Sequence, residues 1–279
     1  MATSNDFEYD AVVIGGGAAG LQAAQTLGRV HRRTLLLDSG SYRNDPALHL
    51  HNFLGHDDTP PAELRAAARK DLAAYATVTV REAAVTAVAT DGEGFRVSIG
   101  DEEVTTRGLV LATGLRDRLP DKPGLAELFG DVVAHCPFCH GHEFAGQPVA
   151  VLGESGHLAG IMGPVASSVA SLDPDTVASF TRSGDGVRVT RTDGSTEEYG
   201  GVFVSTTLTQ AAPFAGQLGL AMLPSGCVEV DVMGRTTVPG VHAAGDMAHH
   251  PDLGMPMASV LTAAASGQVA AASLVAYLV

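Results

Sequence analysis

Apolar residues in this chain gather in short unbroken runs, each closed by a turn of small residues, and those runs set the fold class. Ala11-Val12-Val13-Ile14 has the continuous character of a strand buried on both faces, as in a parallel sheet. Gly15 to Gly20 turn the chain into a helix, and Thr34 to Leu37 form the next strand. Leu109-Val110-Leu111 and Val241-His242-Ala243-Ala244 are further runs of this kind, and Pro148 to Leu152 is another. Strand, turn, helix, strand predicts an α/β protein with a Rossmann-like domain. From Met255 to Val279 there is no charge, a stretch long enough to cross a bilayer. Ser259, Ser266, Gly267, Gln268 and Ser273 interrupt it and no Lys or Arg flanks it, which predicts a helix packed on all sides inside the protein.

The first turn carries chemistry. Gly15-Gly16-Gly17-Ala18-Ala19-Gly20 fits G-x-G-x-x-G, with Gly15 for the tight turn, Gly17 for close approach of a pyrophosphate, and Gly20 for helix–strand packing. The helix that begins there points its first amides at the phosphates. Asp38, 18 positions after Gly20, stands where an acid holds the adenosine ribose. Ala112-Thr113-Gly114 closes a second strand, and Gly245-Asp246 places a carboxylate at the mouth of a third, within reach of a ribityl chain. Together these segments predict an FAD site. They also predict a discontinuous FAD-binding domain, residues 1–117 plus 232–279, with a smaller domain, 118–231, inserted.

Charge narrows the partners. The 279 residues carry 17 basic and 31 acidic side chains, a net charge of -14, and nucleic acid or an anionic membrane needs the opposite balance. Three cysteines are too few for a secreted disulfide scaffold, and Met1 to Tyr9 lacks the charged-then-apolar order of a signal peptide. A cytoplasmic location is expected.

Two of the cysteines form Cys136-Pro137-Phe138-Cys139, lying between the parts of the FAD site. A dithiol so placed points to electrons passing between sulfur and flavin. A thiolate is the reactive form, and free Cys ionises near ~8.5, so a proton acceptor is needed. Eight of the 11 histidines fall in three clusters: His49/His51/His56, His135/His140/His142 and His249/His250. His140, His249 and His250 are candidate bases, His140 first, with polar packing as their alternative. Zinc on the two cysteines and two histidines is the rival reading, but His135, His140 and His142 sit too close in sequence to close a tetrahedron easily with that pair. No metal is expected. Cys227 stands alone and reads as a small core residue.

The Gly15 loop, Asn52-Phe53-Leu54-Gly55, Ala112-Thr113-Gly114, the Cys136/Cys139 pair and Val238-Pro239-Gly240 leading to Gly245-Asp246 resemble, in order and spacing, the low-molecular-weight thioredoxin reductases. The resemblance covers nearly the whole chain and implies a homodimer. It places Asn52 and Ser259 against the isoalloxazine, Cys139 facing the flavin and Cys136 exchanging with substrate. Those reductases carry Asp after the second Cys, whereas this chain has His140. Cys-His-Gly is similar to FAD-dependent dithiol oxidases of the gliotoxin and holomycin type, which close disulfides in natural products. Pro148 to Gly153 looks like the first strand of an NADPH domain. However, Gly153-Glu154-Ser155-Gly156-His157-Leu158 lacks the glycine pattern, and the sequence shows no helix, second strand or arginine pair before Gly163. A truncated second nucleotide-type domain without NADPH is expected.

Three functions compete. The first is oxidation of a small-molecule dithiol with molecular oxygen as acceptor, giving hydrogen peroxide. The second is a thioredoxin reductase-like disulfide reductase fed by a donor other than NADPH, such as ferredoxin or a deazaflavin. The third is a non-catalytic flavoprotein that senses redox state. Retention of both cysteines and every flavin signpost places the third last, and the first fits the shortened centre because it needs no NADPH site.

Overall fold

A computed structural model describes residues 7–153 and 156–279, in two compact units. Of the described residues, the first contains 7–43, 62–116 and 208–279, and the second contains 44–61, 117–153 and 156–207. Residues 208–231, which the sequence assigns to the insertion, pack with the first unit, and 44–61 pack with the second.

The first unit is built on β1 (Tyr9–Ile14), α1 (Ala18–Arg29), β2 (Thr34–Asp38), α2 (Pro61–Leu72), β3 (Val78–Glu82), β4 (Ala87–Asp91), β5 (Gly94–Ile99) and β6 (Glu102–Leu111). The sheet order is β3-β2-β1-β6-β5-β4. β1, β2, β3 and β6 run parallel, and the strand Val241–Ala243 joins parallel to the far end of β6. Alternation along the strands divides the core. Val12, Ile14, Leu35, Leu37, Leu109 and Leu111 face Phe95 and Val97, while Ala11, Val13, Leu36 and Val110 face the helices.

α1 meets the C-terminal helix, Val260–Tyr277, along a seam of small residues that includes Ala19, Ala23, Ala270 and Ala271. At Gly267 a Cβ would overlap the Ala19 carbonyl, so the two backbones touch there. The C-terminal helix is buried on one face only. Gly267, Ala270, Ala271, Ser273 and Leu274 are covered, whereas Leu261, Gln268, Val269, Ala272 and Tyr277 are exposed. The expectation of packing on all sides is thus corrected. The helix is long and apolar enough to cross a membrane by length and composition.

In the second unit four parallel strands lie in the order Ser168–Leu172, Pro148–Leu152, Gly201–Val204, Val133–Ala134. Three antiparallel strands, Val177–Ser183, Gly186–Arg191 and Thr196–Tyr199, form a separate sheet. A helix at Gly156–Met162 connects Pro148–Leu152 to Ser168–Leu172, its parallel neighbour. A short β-α-β unit therefore exists: the helix lies before Gly163, where the sequence showed none, and its second strand follows after Gly163. Gly156 and Gly160 weaken the helical signal, since Gly is the poorest helix former after Pro.

Candidate functional site

The glycine loop has the shape a pyrophosphate needs. Gly15 has φ +114°, and a Cβ there would run into the Ala112 carbonyl. At Gly20 a Cβ would strike the Gly15 carbonyl, so loop and helix meet backbone to backbone. Gly17 is the N-cap of α1, with no side chain capping the helix and no atom within 4 Å of where its Cβ would lie. Open backbone leading into uncapped amides at Ala18 and Ala19 is a ready anion site. Gly114, after Ala112 and Thr113, is equally open, and the Thr113 N–H and hydroxyl rest 3.3 Å from Met247 Sδ. These residues fit a dinucleotide.

Both acids expected at the nucleotide have cationic partners that the sequence did not reveal. Asp38 is buried against Gly16; its Oδ1 accepts from the Gly40 N–H at 3.0 Å, and its Oδ2 accepts from the Tyr42 hydroxyl at 2.6 Å and from Arg69. Arg65 lies over the Tyr42 ring, 3.8 Å from its centroid. Burial, reinforced by Asp38, raises the Tyr42 pKa and keeps the phenol a donor. Asp246 accepts from Arg43 at 2.8 Å, with both side chains largely covered. Gly245, at φ +76°, donates its N–H to Ser266 Oγ at 2.9 Å. Ser259 caps the C-terminal helix, accepting from the Thr262 N–H at 3.0 Å, and is exposed.

In the second unit, Cys136 is the N-cap of the helical turn Pro137–His140. Pro137 suits the first position of a helix, where no N–H is needed. Cys139 N–H and His140 N–H both reach the Cys136 carbonyl at 3.2 Å, which folds the two sulfurs to 2.7 Å apart. Phe138 projects outward, 64% exposed. His140 Nε2 lies 3.2 Å from the Gly130 carbonyl oxygen, and burial holds its pKa below the ordinary histidine value. His135 stacks on Phe129. Asn52 belongs to this unit, with a left-handed backbone (φ 59°) and its N–H on Asp57 Oδ1 at 2.9 Å. Next to it His51 approaches Asp57 and Glu143, at 3.7 and 3.6 Å.

The other candidate bases differ. His249 is buried in the first unit with both ring nitrogens engaged, Nδ1 with the His250 carbonyl and Nε2 with Ser225 Oγ, each at 2.8 Å. With Nδ1–H donating to that carbonyl, the Nε2 lone pair accepts from the Ser225 hydroxyl. His250 Nδ1 accepts from the Asp252 N–H at 3.3 Å. Cys227 is a core residue, its thiol pKa raised by burial. Among the described residues no cluster fit to hold a metal ion is found.

A glycine-loop nucleotide domain carried on the same chain as a vicinal dithiol defines a flavoprotein disulfide oxidoreductase. The pyridine nucleotide-disulphide oxidoreductase profile matches residues 9–172 and 166–267. A probable thioredoxin reductase of Arthroderma benhamiae is 38% identical over 160 residues, covering 55% of this chain and 40% of that protein. Thioredoxin reductase aclD of Aspergillus oryzae is 31% identical over 315 residues, covering 97% of this chain and 96% of that protein. The crystal structure of HlmI superposes with a TM-score of 0.86 at 33% identity, covering 97% of this chain and 92% of that one. The chain belongs to the pyridine nucleotide-disulphide oxidoreductase family, among the thioredoxin reductase-like flavoenzymes that act on disulfides or dithiols.

Proposed function

We propose that the chain is an FAD-dependent dithiol oxidase working on a small molecule. The observation that carries this reading is the Cys136/Cys139 pair, held 2.7 Å apart at the start of a helical turn, on a chain whose second β-α-β unit is compressed into residues 148–172. In the disulfide form of the enzyme, a substrate thiolate attacks Cys136 and Cys139 leaves as thiolate. The second substrate thiol then displaces Cys136 from the mixed disulfide, and a cyclic disulfide departs. FAD, bound by Gly15 to Gly20, Asp38 with Arg69, and Asp246 with Arg43, would supply the two-electron acceptor and pass both electrons to oxygen. Dithiol and oxygen are thereby converted to disulfide and hydrogen peroxide. Asn52 and Ser259 are assigned by resemblance to the flavin ring, and a homodimer in the cytoplasm is the expected setting.

Anaerobic mixing of the holoprotein with dithiothreitol should bleach the flavin, and readmitted air should restore the colour with one peroxide per dithiol. Bleaching without recovery in air would favour a reductase fed by another donor. A flavin that dithiols leave oxidised would exclude the reading.

A further inference from the structure

Asp38 closes β2 beside the glycine loop, and its acceptors can be accounted for one by one. The side chain is buried, and a Cβ on Gly16 would overlap Oδ2, so that oxygen lies against the loop backbone. Oδ2 accepts from the Tyr42 hydroxyl at 2.6 Å and from Arg69, while Oδ1 accepts from the Gly40 N–H at 3.0 Å. A carboxylate offers about four lone-pair sites, two on each oxygen. Oδ2 is therefore fully used, and one acceptor is left, on Oδ1.

The same contacts fix Tyr42. Its oxygen donates to Asp38 and accepts from Arg69 Nη2 at 2.6 Å. Arg65, one turn before Arg69 on α2, lies over the Tyr42 ring, 3.8 Å from its centroid. An aromatic ring and a guanidinium plane are thus stacked face to face, tied through the phenol to the carboxylate that ends β2. Arg69 also offsets the Asp38 charge beside the loop that would receive a pyrophosphate.

A dinucleotide in this unit has a set order: pyrophosphate at the α1 amides, ribose at Asp38, base beyond the ribose. Purine bases rest on aromatic rings and on guanidinium planes. We propose that the Tyr42–Arg65 stack is the platform for the adenine, and that Asp38, positioned by Tyr42 and Arg69, holds the adenosine ribose through one hydroxyl only. The inference rests on the FAD reading above. A single lone pair does not serve both ribose hydroxyls, so the stack supplies affinity that a two-pronged ribose contact would otherwise give.

Diluted holoprotein releases flavin, read as the fluorescence of free FAD, and added ADP or pyrophosphate competes for its return. Pyrophosphate can fill the glycine loop but has no base. ADP should compete roughly 10-fold better or more in the unaltered protein, and Tyr42→Ala and Arg65→Ala should each remove most of that advantage. The ratio of the two competitors reads the base alone, since general damage to the fold weakens both. Tyr42→Phe keeps the ring and should keep most of the advantage, whereas Arg65→Lys keeps the charge without the plane and should lose it. An ADP advantage unchanged in Tyr42→Ala, Arg65→Ala and Arg65→Lys would overturn the platform. Of 2′-deoxy-ADP and 3′-deoxy-ADP, one should match ADP and the other should compete less well; any other pattern would overturn the single-hydroxyl contact. Failure of the underlying reading looks different, because the purified chain would then carry no flavin and take up none when soaked in FAD.

Discussion

Cys136 and Cys139 share a helical turn yet stand in different backbone positions, one capping the turn and the other inside it, and the division of labour proposed for them can be separated by substitution. Cys139→Ser should abolish electron transfer to the flavin. Cys136→Ser should leave a Cys139 thiolate that gives a long-wavelength charge-transfer band in the absorption spectrum. The band appearing only in the Cys139→Ser protein would reverse the roles. A buried histidine sets a second expectation. His242 meets Ser273 Oγ at 3.0 Å, and burial, with Arg235 adding to it, pushes its pKa from 6.5 to about 4. The unfolded chain takes up that proton first, so the contribution is complete above pH 6.5 and is lost as pH falls through 4. It amounts to ~3 kcal/mol in all. Thermal melts of His242→Phe should therefore depend less steeply on pH across that window than those of the unaltered protein, and equal slopes would show that His242 does not titrate there. The tight loop at Gly15, Gly17 and Gly20 and the places of Asp38 and Asp246 at the ends of their strands follow from local spacing and were legible in the sequence. Arg43 and Arg69 were not, because nothing near them in the chain marks which distant acid they will meet.

At the scale of elements, the seam between α1 and the C-terminal helix depends on a missing side chain. Gly267→Ala would force a methyl into the Ala19 carbonyl, and overpacking of this kind costs about 1–3 kcal/mol. A melting temperature several degrees lower, with flavin content retained in the fraction that stays folded, is the expected result. An unchanged melt would mean that the helices separate without cost. The first β-α-β unit was legible because Ala11–Ile14 and Thr34–Leu37 are unbroken apolar runs around a glycine turn. Ser168-Val-Ala-Ser-Leu172 is short and half polar, and the helix before it carries two glycines, so no periodic signal marks either. The C-terminal helix misled in the opposite sense. Its alanines and lack of charge look the same on the face that packs against α1 and on the face that carries Leu261, Val269 and Tyr277 outward.

For the whole molecule the sharpest question is which reductant it accepts, and the second unit bears on it without reference to the first. A pyridine nucleotide site needs a glycine turn feeding the N-terminus of a helix, and NADPH needs a cation for its 2′-phosphate as well. Gly153 does turn, at φ +92°, but the helix that follows, Gly156–Met162, has only seven residues and no basic side chain in its last turn. Glu154, the carboxylate that the sequence sets against phosphate, lies outside the described residues. Across the antiparallel sheet Arg182 holds Asp131, Arg188 holds Glu198 and Arg191 holds Glu197, so these cations are already matched to carboxylates. The sequence thus misjudged the presence of the β-α-β unit, and we propose from the matched charges that NADPH is not the donor. NADPH is expected to leave the flavin oxidised over minutes under anaerobic conditions, while an equal concentration of dithiothreitol bleaches it. The comparison should be made in low salt, where any residual attraction for the nucleotide is least screened. Rapid bleaching by NADPH would show that the compressed unit still docks a pyridine nucleotide, and would turn the proposed direction of electron flow around.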